Sequence, residues 1–151
     1  MHTLRLPRPD DLQALLGLYA QLNPHDRPAT PERSRAVLDE ILASSHFELV
    51  VAEHAGDVIG TCYLNVVPNL SRGGAPYGVL ENVVVTQALR GRGIGQAMVG
   101  FALARAWQRG CYKVMLQTGS RRESTHHFYR ACRFSAGEKF AFVARPATDA
   151  P

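Results

Sequence analysis

The sequence predicts a mixed α/β fold (α+β) in which helices pack against a mixed sheet. The apolar residues of this 151-residue chain follow a helical period near the start, a strand period in the middle and a helical period again after residue 93. The resulting order is β-α-α-β-β-β-α-β-α-β, which is typical of a sheet covered by helices. The length fits one domain, which we place at residues 1–145, followed by a disordered tail at 146–151.

The first half of the chain supplies a strand, two helices and a hairpin. "TLRLP" predicts a short strand. Thr30 followed by Pro31 marks the start of the second helix, because threonine caps helix starts and proline is favoured at the first helical position. "FELVVAEH" and "VIGTCYLNVV" flank a Gly56–Asp57 turn and predict a hairpin. The first helix itself is predicted from apolar residues at helical spacing, namely Leu12, Leu15, Leu16, Tyr19 and Leu22.

The second half alternates strands and helices. "VLENVVV" predicts a third central strand, and a helix runs from Ile94 to Gly110. "KVMLQT" is a short apolar run typical of a strand inside a sheet. "STHHFYRAC" predicts a short helix, and "KFAFVA" predicts a closing strand.

Composition limits the classes of partner. The formal charge is +4 and the isoelectric point is near 9.3, which favours anionic partners. The basic residues are scattered without an aromatic platform, so we expect no nucleic-acid binding. No apolar run reaches the ~18 residues of a membrane span, and no secretory signal is evident. Three widely spaced cysteines favour reduced, packed thiols, so we expect a soluble cytoplasmic protein.

Residues 90–95 read "RGRGIG" between an apolar strand and an apolar-periodic helix. The first amides of a helix lack partners and attract anions, and glycine lets a phosphate approach them closely. The spacing fits neither the dinucleotide fingerprint nor the Walker A loop. A flexible turn that only lets the helix pack closely is the alternative interpretation. We favour a pyrophosphate site.

Arg90, Gly93 and Gly95 also fill the fixed places of R/Q-x-x-G-x-G/A, after a V-V-V strand and about thirty residues before F-Y-x-x-x-x-F. In these motifs the chain resembles a small bacterial-type, single-domain member of the GCN5-related N-acetyltransferase (GNAT) family. The resemblance implies a mostly antiparallel sheet of about six to seven strands with four helices, in which strands 4 and 5 splay apart for acetyl-CoA. It also implies the acetyl-CoA contacts, namely Val83, Val84, Val85, Arg90, Gly91, Arg92, Gly93, Ile94, Gly95 and Gln96.

Two residues are the catalytic candidates. Glu81 lies in a largely apolar strand, where we expect partial desolvation to suit it to act as a base; a solvent-facing or salt-bridged glutamate is the alternative. Tyr129 fills the tyrosine of the family helix, where the resemblance implies an acid that protonates the CoA thiolate; simple aromatic packing is the alternative. Arg133 stands where the family usually has glycine. The amide at or beside Val85 is the expected donor to the thioester carbonyl.

The acceptor is an unidentified primary amine, attacked directly in a ternary complex. An ending that resembles aminoalkylphosphonate acetyltransferases, together with Arg121 and Arg122, favours a small anionic amine. A solvated loop, or contacts to the CoA 3′-phosphate, are the alternative roles of these two arginines. Amino acids, polyamines, aminoglycosides and protein N-termini stay open as acceptors. A catalytically silent, acyl-CoA-binding regulatory module is the alternative function. We expect no metal and a homodimer. The acceptor-binding candidates are His25, Asn69, Arg72, Tyr77 and His126.

Overall fold

The computed structural model describes residues 2–146. These residues fall into two compact units that meet in sequence at Leu116 and Gln117. The five strands are β1 (Thr3–Arg5), β2 (Phe47–His54), β3 (Asp57–Val67), β4 (Tyr77–Val85) and β5 (Val114–Met115). The four α-helices are α1 (Leu12–Leu22), α2 (Pro31–Ala43), α3 (Ile94–Gln108) and α4 (Glu123–Ala131).

All five strands form one sheet in the order β1-β2-β3-β4-β5. The first four strands are antiparallel neighbours, and β5 runs parallel to β4. The mixed sheet and the four helices are therefore confirmed, but six to seven strands is wrong for the residues described. The predicted closing strand at 139–144 has no strand conformation, because no neighbouring strand pairs with its backbone.

In the first unit, helices cover both faces of the sheet. On one face Leu49 and Val51 of β2 pack with Leu12, Leu15 and Leu38 of α1 and α2. We call this the α1 face. The start of α2 is capped as predicted, because the Thr30 hydroxyl accepts the amide N–H of Arg33 at 3.2 Å.

The opposite face of the sheet carries α3. Gly60 of β3 allows that helix to approach, because a Cβ on Gly60 would lie 3.0 Å from the sulfur of Met98. Cys62 faces the same side, where its thiol contacts the Met98 carbonyl at 3.9 Å. Cys62, Cys111 and Cys132 are all buried free thiols, as the sequence predicted, and burial raises the pKa of Cys62 to about 12.

Strand β4 is interrupted by a β-bulge. Tyr63 of β3 is opposite Glu81, whereas Thr61 is opposite Val84, so Cys62 alone faces both Asn82 and Val83. Asn82 adopts φ +52°, a left-handed conformation that asparagine tolerates better than most residues. The bulge therefore interrupts β4 at Asn82 and Val83.

Strand β5 pairs with β4 only at Gly78 and Val79. Beyond Val79, β4 continues for six more residues that have no strand partner on the β5 side within the described chain. The two strands thus separate after a short pairing, as expected for splayed strands 4 and 5. Backbone groups of the second half of β4 are left available along this open edge.

The second unit contains α4 and the residues after it. The helix ends in a Schellman motif, in which the amide of Phe134 bonds the Tyr129 carbonyl at 3.1 Å and that of Arg133 bonds the Arg130 carbonyl at 2.9 Å. Arg133 takes the left-handed position of this motif at φ +70°. The arginine therefore adopts the conformation that the family glycine would adopt.

Two predictions on organisation stay predictions. A single domain over residues 1–145 is untested, and most of the tail predicted at 146–151 lies outside the described residues. Within residues 2–146, every helix is too short or too polar to cross a lipid bilayer.

Candidate active site

The predicted phosphate loop leads directly into α3. Gly91 and Gly93 adopt φ +76° and +77°, left-handed values that cost residues with a Cβ about 1–2 kcal/mol. A Cβ at either position would meet no atom within 4 Å, so conformation rather than crowding requires glycine here. Gly93 is the N-cap of α3, and as a glycine it has no side chain that could cap the first amides. Those amides can therefore donate hydrogen bonds to an anionic oxygen.

Arg90 ties this loop to the end of β4. Its Nε donates a hydrogen bond to the carbonyl of Val85 at 3.0 Å. The N–H and C=O of one strand residue point to the same edge, so the Val85 amide also points away from β3. The amide of the next residue, Thr86, donates to the Ile59 carbonyl on the β3 side at 2.8 Å. Successive residues therefore point to opposite edges of the strand, as expected. The Val85 amide is thus directed to the open edge of β4.

Glu81 lies on β4 immediately before the bulge, on the α1 face. Its side chain is exposed, and so is that of Asn82. The expected partial desolvation of Glu81 is therefore wrong for the described residues, because its side chain is exposed to solvent. The carboxylate stays accessible to an amine or to a water molecule.

Between Glu81 and the start of β4 the α1 face is open. Its side chains are half-buried or exposed, whereas Leu64, Val66, Gly78 and Leu80 on the opposite face are buried. Tyr77 and Glu81 are four residues apart on the same face, which places their Cα atoms about 13 Å apart along the strand. We call this surface the acceptor face; it consists of Asn65, Tyr77, Val79, Glu81 and Met115.

At the start of β4, two cationic side chains lie close to the rings of Tyr77 and Tyr112. The Lys113 ammonium lies 5.4 Å from the ring centres of both Tyr77 and Tyr112. The Arg72 guanidinium lies 5.8 Å from the centre of the Tyr112 ring, and the two rings contact edge to face at 6.4 Å. We call Arg72, Tyr77, Tyr112 and Lys113 the cation–tyrosine cluster.

Among residues 2–146, neither cation of this cluster has a carboxylate within ion-pair distance. Two like charges near one ring, with no acid beside them, favour an incoming anion. Of the predicted acceptor residues, Arg72 and Tyr77 therefore come together. Tyr112 and Lys113 were missed, although an aromatic-lysine pair directly before a strand was a readable signal.

The remaining acceptor candidates are Asn69, His25 and His126. Asn69 donates to the Ser71 carbonyl at 3.1 Å and to the Ala75 carbonyl at 3.4 Å, so it organises its own loop. His25 is exposed in the connection between α1 and α2. In the second unit, Nε2 of His126 lies 2.7 Å from the Ser120 carbonyl. The hydrogen bonds of Asn69 thus stay within its own loop, and that of His126 stays within the second unit.

Tyr129 belongs to the second unit, where it is half-buried. Its ring packs edge to face against Phe128 at 5.0 Å and Phe134 at 6.2 Å. These contacts fix the ring on α4, so the aromatic-packing role proposed as an alternative is present whatever else the phenol does. Within residues 2–146 no group of three metal-ligating side chains comes together.

The fold and the loop geometry agree with a family comparison. The model of the acetyltransferase (GNAT) family matches residues 12–134, and this chain belongs to that family. It is therefore an acyltransferase. A solved structure described as a putative acetyltransferase from Agrobacterium tumefaciens str. C58 is 41% identical, with a TM-score of 0.90 over 95% of this chain and 99% of the other.

Curated relatives act on an amino sugar. The chain is 36% identical to glucosamine 6-phosphate N-acetyltransferase 1 of Oryza sativa subsp. japonica over 83% of this chain and 75% of the relative. It is 34% identical to the glucosamine 6-phosphate N-acetyltransferase of Trypanosoma brucei brucei over 56% of this chain. That match spans about half, 55%, of the trypanosomal protein.

Proposed function

We propose that this chain transfers an acetyl group from acetyl-CoA to the primary amine of a small acceptor that also carries an anionic group. One observation carries the cosubstrate assignment. The unpaired edge of β4 leads through Gly91 and Gly93 to the uncapped start of α3. An extended pantetheine arm can pair along such an edge while a pyrophosphate rests on the helix start.

The chemical step requires a base, an oxyanion donor and an acid. The amine loses its proton to the Glu81 carboxylate, directly or through water, and its nitrogen attacks the thioester carbonyl carbon. The Val85 amide donates to the oxygen as it gains charge. The carbon–sulfur bond then breaks, and the Tyr129 phenol returns a proton to the departing thiolate. The products are an N-acetyl amide and CoA.

The cation–tyrosine cluster supports an acidic group on the acceptor. Its two unpaired cations lie at the opposite end of the acceptor face from Glu81, the proposed base. A bound amine would therefore direct its nitrogen toward Glu81 and its anionic group toward Arg72 and Lys113. Tyrosine rings also stack on the apolar faces of sugars and extended chains. An amino sugar phosphate, such as the substrate named for the curated relatives, has both groups.

Thiol release from acetyl-CoA across a panel of amines tests this function, with a no-amine control. The panel contains glucosamine 6-phosphate, neutral glucosamine, an aminoalkylphosphonate, amino acids, a polyamine and an aminoglycoside. We expect the phosphorylated or phosphonate amines to react fastest. Equal rates for glucosamine and its 6-phosphate would reject the anionic requirement. Silence across the panel, with acetyl-CoA binding intact, would favour the catalytically silent module. Cytoplasmic location and a homodimer stay predictions.

A further inference from the structure

A cavity of about 160 Å³ lies in the first unit, beside the edge of β2 where β1 ends. It shares no residue with the acceptor face or with the phosphate loop. A cavity of about 150 Å³ with an apolar lining can hold a benzene ring, so this one can hold a small apolar group. We call it the edge cavity; its apolar walls are Leu6, Ile41, Leu42, Phe47 and Leu49.

One wall of the edge cavity is a cluster of ion pairs. Glu48 is only 5% exposed, and its carboxylate binds both arginines of the cavity. Nε and Nη2 of Arg105 contact the two carboxylate oxygens, and Nη2 of Arg109 lies 2.7 Å from Oε1. Among residues 2–146 neither Nη1 donates a hydrogen bond. Both guanidinium groups can therefore donate to a further acceptor.

The ion-pair cluster has a positive net charge. Its two guanidinium groups carry two positive charges against the single negative charge of Glu48. No other charged side chain among residues 2–146 lines the cavity. Both arginines lie at the carboxyl end of α3, whose partial charge of about −0.5 does not cancel the remainder. The cluster therefore favours an anion with one negative charge.

The edge of β2 adds a backbone donor to the cavity. The His46 carbonyl accepts the Val66 amide on the β3 side at 2.8 Å, so by alternation the Leu49 backbone points to the other edge. Continuing the register of β1 and β2 places Pro7 opposite Leu49, and proline has no N–H to complete the ladder. Among residues 2–146 the Leu49 amide makes no backbone hydrogen bond to the segment after β1. Because Leu49 is only 3% exposed, its amide favours a bound group that supplies an acceptor.

We propose that the edge cavity binds a small monocarboxylate whose apolar body is about the size of a benzene ring. The carboxylate accepts hydrogen bonds from Nη1 of Arg105 and of Arg109. The apolar body lies between α2 and the start of β2, against Leu42 and Phe47. A doubly charged phosphate fits less well, because the cluster offers at most one net positive charge and the rest of the wall is apolar.

Nuclear magnetic resonance titration of the isotope-labelled full chain with benzoate tests this site. Acetyl-CoA and acceptor are left out, so the result does not depend on the proposed function. We expect saturable shifts of the Phe47, Leu49 and Arg109 amides. Benzyl alcohol lacks the charge and acetate lacks the apolar body, so each should bind at least about tenfold more weakly than benzoate.

Two variants test the charge and the shape of the cavity separately. Arg109→Met should weaken benzoate binding at least about tenfold, the loss expected for one charged hydrogen bond, while Arg105 keeps Glu48 paired. Leu42→Trp should fill the cavity without changing its charge, and the larger side chain should be tolerated because Leu42 is 38% exposed. Arg33→Met, at an exposed arginine near the start of α2, is the control and should bind benzoate normally. Circular dichroism checks that each variant is folded.

Four results would overturn the proposal. The first is the absence of saturable shifts with benzoate. The second is equal affinity for benzoate and acetate, which would indicate general attraction of anions. The third is unchanged benzoate binding in Arg109→Met or Leu42→Trp. The fourth is a set of shifts confined to the cation–tyrosine cluster, which would place the carboxylate there instead.

Discussion

Arg133 adopts after α4 the left-handed conformation that Gly110 adopts after α3, with φ values of +70° and +75°. Both residues complete Schellman motifs. After α3, the amides of Gly110 and Cys111 bond the carbonyls of Trp107 and Ala106 at 2.9 and 3.1 Å. After α4, Phe134 also packs its ring on Tyr129. The same helix ending is therefore built once with glycine and once with arginine.

Replacing Arg133 by glycine and Gly110 by arginine should therefore change the free energy of unfolding in opposite directions. Arg133→Gly should raise the free energy of unfolding by about 0.5–1 kcal/mol, because it removes the left-handed strain and part of that gain is offset by the freer unfolded chain. Gly110→Arg should lower it by a similar amount. Urea unfolding of the two variants measures both effects. A loss of stability in Arg133→Gly would mean that the arginine side chain stabilises the motif by contacts that outweigh its backbone cost.

The phosphate loop can be tested at Gly93. Gly93→Ala should weaken CoA binding about 5–30-fold, which corresponds to about 1–2 kcal/mol for holding alanine at φ +77°. The loop has open space around it, so the free protein relaxes and the cost falls on binding. Calorimetric titration with CoA measures the change. Gly100→Ala, in the exposed middle of α3, is the control and should leave CoA affinity unchanged while stabilising the helix slightly.

Glu81 is predicted to act in chemistry rather than in cosubstrate binding. Glu81→Gln should lower kcat by about 10²- to 10⁴-fold, the range expected for loss of a general base. The affinity for acetyl-CoA should stay the same, because the carboxylate faces the acceptor side of β4. Steady-state kinetics and a CoA titration separate the two effects. Glu32→Gln, an exposed glutamate in the first turn of α2, should change neither; a Glu81→Gln enzyme with near-normal kcat would remove Glu81 from the mechanism.

Lys113 is predicted to recognise the acidic group of the acceptor. Lys113→Met should raise KM for an amine phosphate about 10-fold or more, because a charged hydrogen bond is worth about 1.5–3 kcal/mol. It should leave the rate with the matching neutral amine unchanged. Arg121→Met provides the comparison, since Arg121 and Arg122 were the sequence-based candidates for the same task. If Arg121→Met instead raises KM for the amine phosphate but not for the neutral amine, the loop before α4 binds the anionic group.

The first unit also contains a carboxylate, Asp11, whose protonation is expected to lower the free energy of unfolding at acidic pH. Asp11 accepts bonds from Arg5 at 2.7 and 2.9 Å, and this pairing, opposed by burial, lowers the pKa of Asp11 below its usual 3.8. Its stabilising contribution is therefore complete above pH 3.8 and is lost as the pH falls through the lower folded value. Urea unfolding at pH 7 and pH 3 should show a smaller acid loss in Asp11→Asn than in the original chain. An equal loss in both would assign the acid sensitivity to other carboxylates.

Local signals predicted most of the fold. Thr30 with Pro31 set the start of α2, the glycines set the start of α3, and Gly110 set its end. The closing strand predicted at residues 139–144 was wrong because apolar alternation measures the tendency to form a strand, whereas a strand also needs a neighbouring strand to pair with. Whether residues 139–144 form a strand depends on which backbone lies next to them, and the local sequence does not contain that information.

The parts of the candidate site that depend on backbone conformation could be predicted from the sequence. Gly91 and Gly93 are identifiable because few other residues adopt their φ values. The exposure of Glu81 could not be predicted, since it depends on which part of the sheet α1 and α2 leave uncovered. Lys113 was missed for a related reason: its neighbour Tyr77 lies 36 positions earlier in the chain and meets it only through the pairing of β4 with β5.

The bulge at Asn82 divides β4 into two segments that can change independently in evolution. In the proposed function, substitutions at Tyr77 or Val79, before the bulge, would alter the surface offered to the amine. The part of the strand after the bulge would bind the thioester and the pantetheine arm of acetyl-CoA, whose chemistry does not vary with the acceptor. One inserted residue thus lets a lineage exchange substrates without rebuilding its cosubstrate site, and libraries for new amine specificity should randomise only the half of the strand before Asn82.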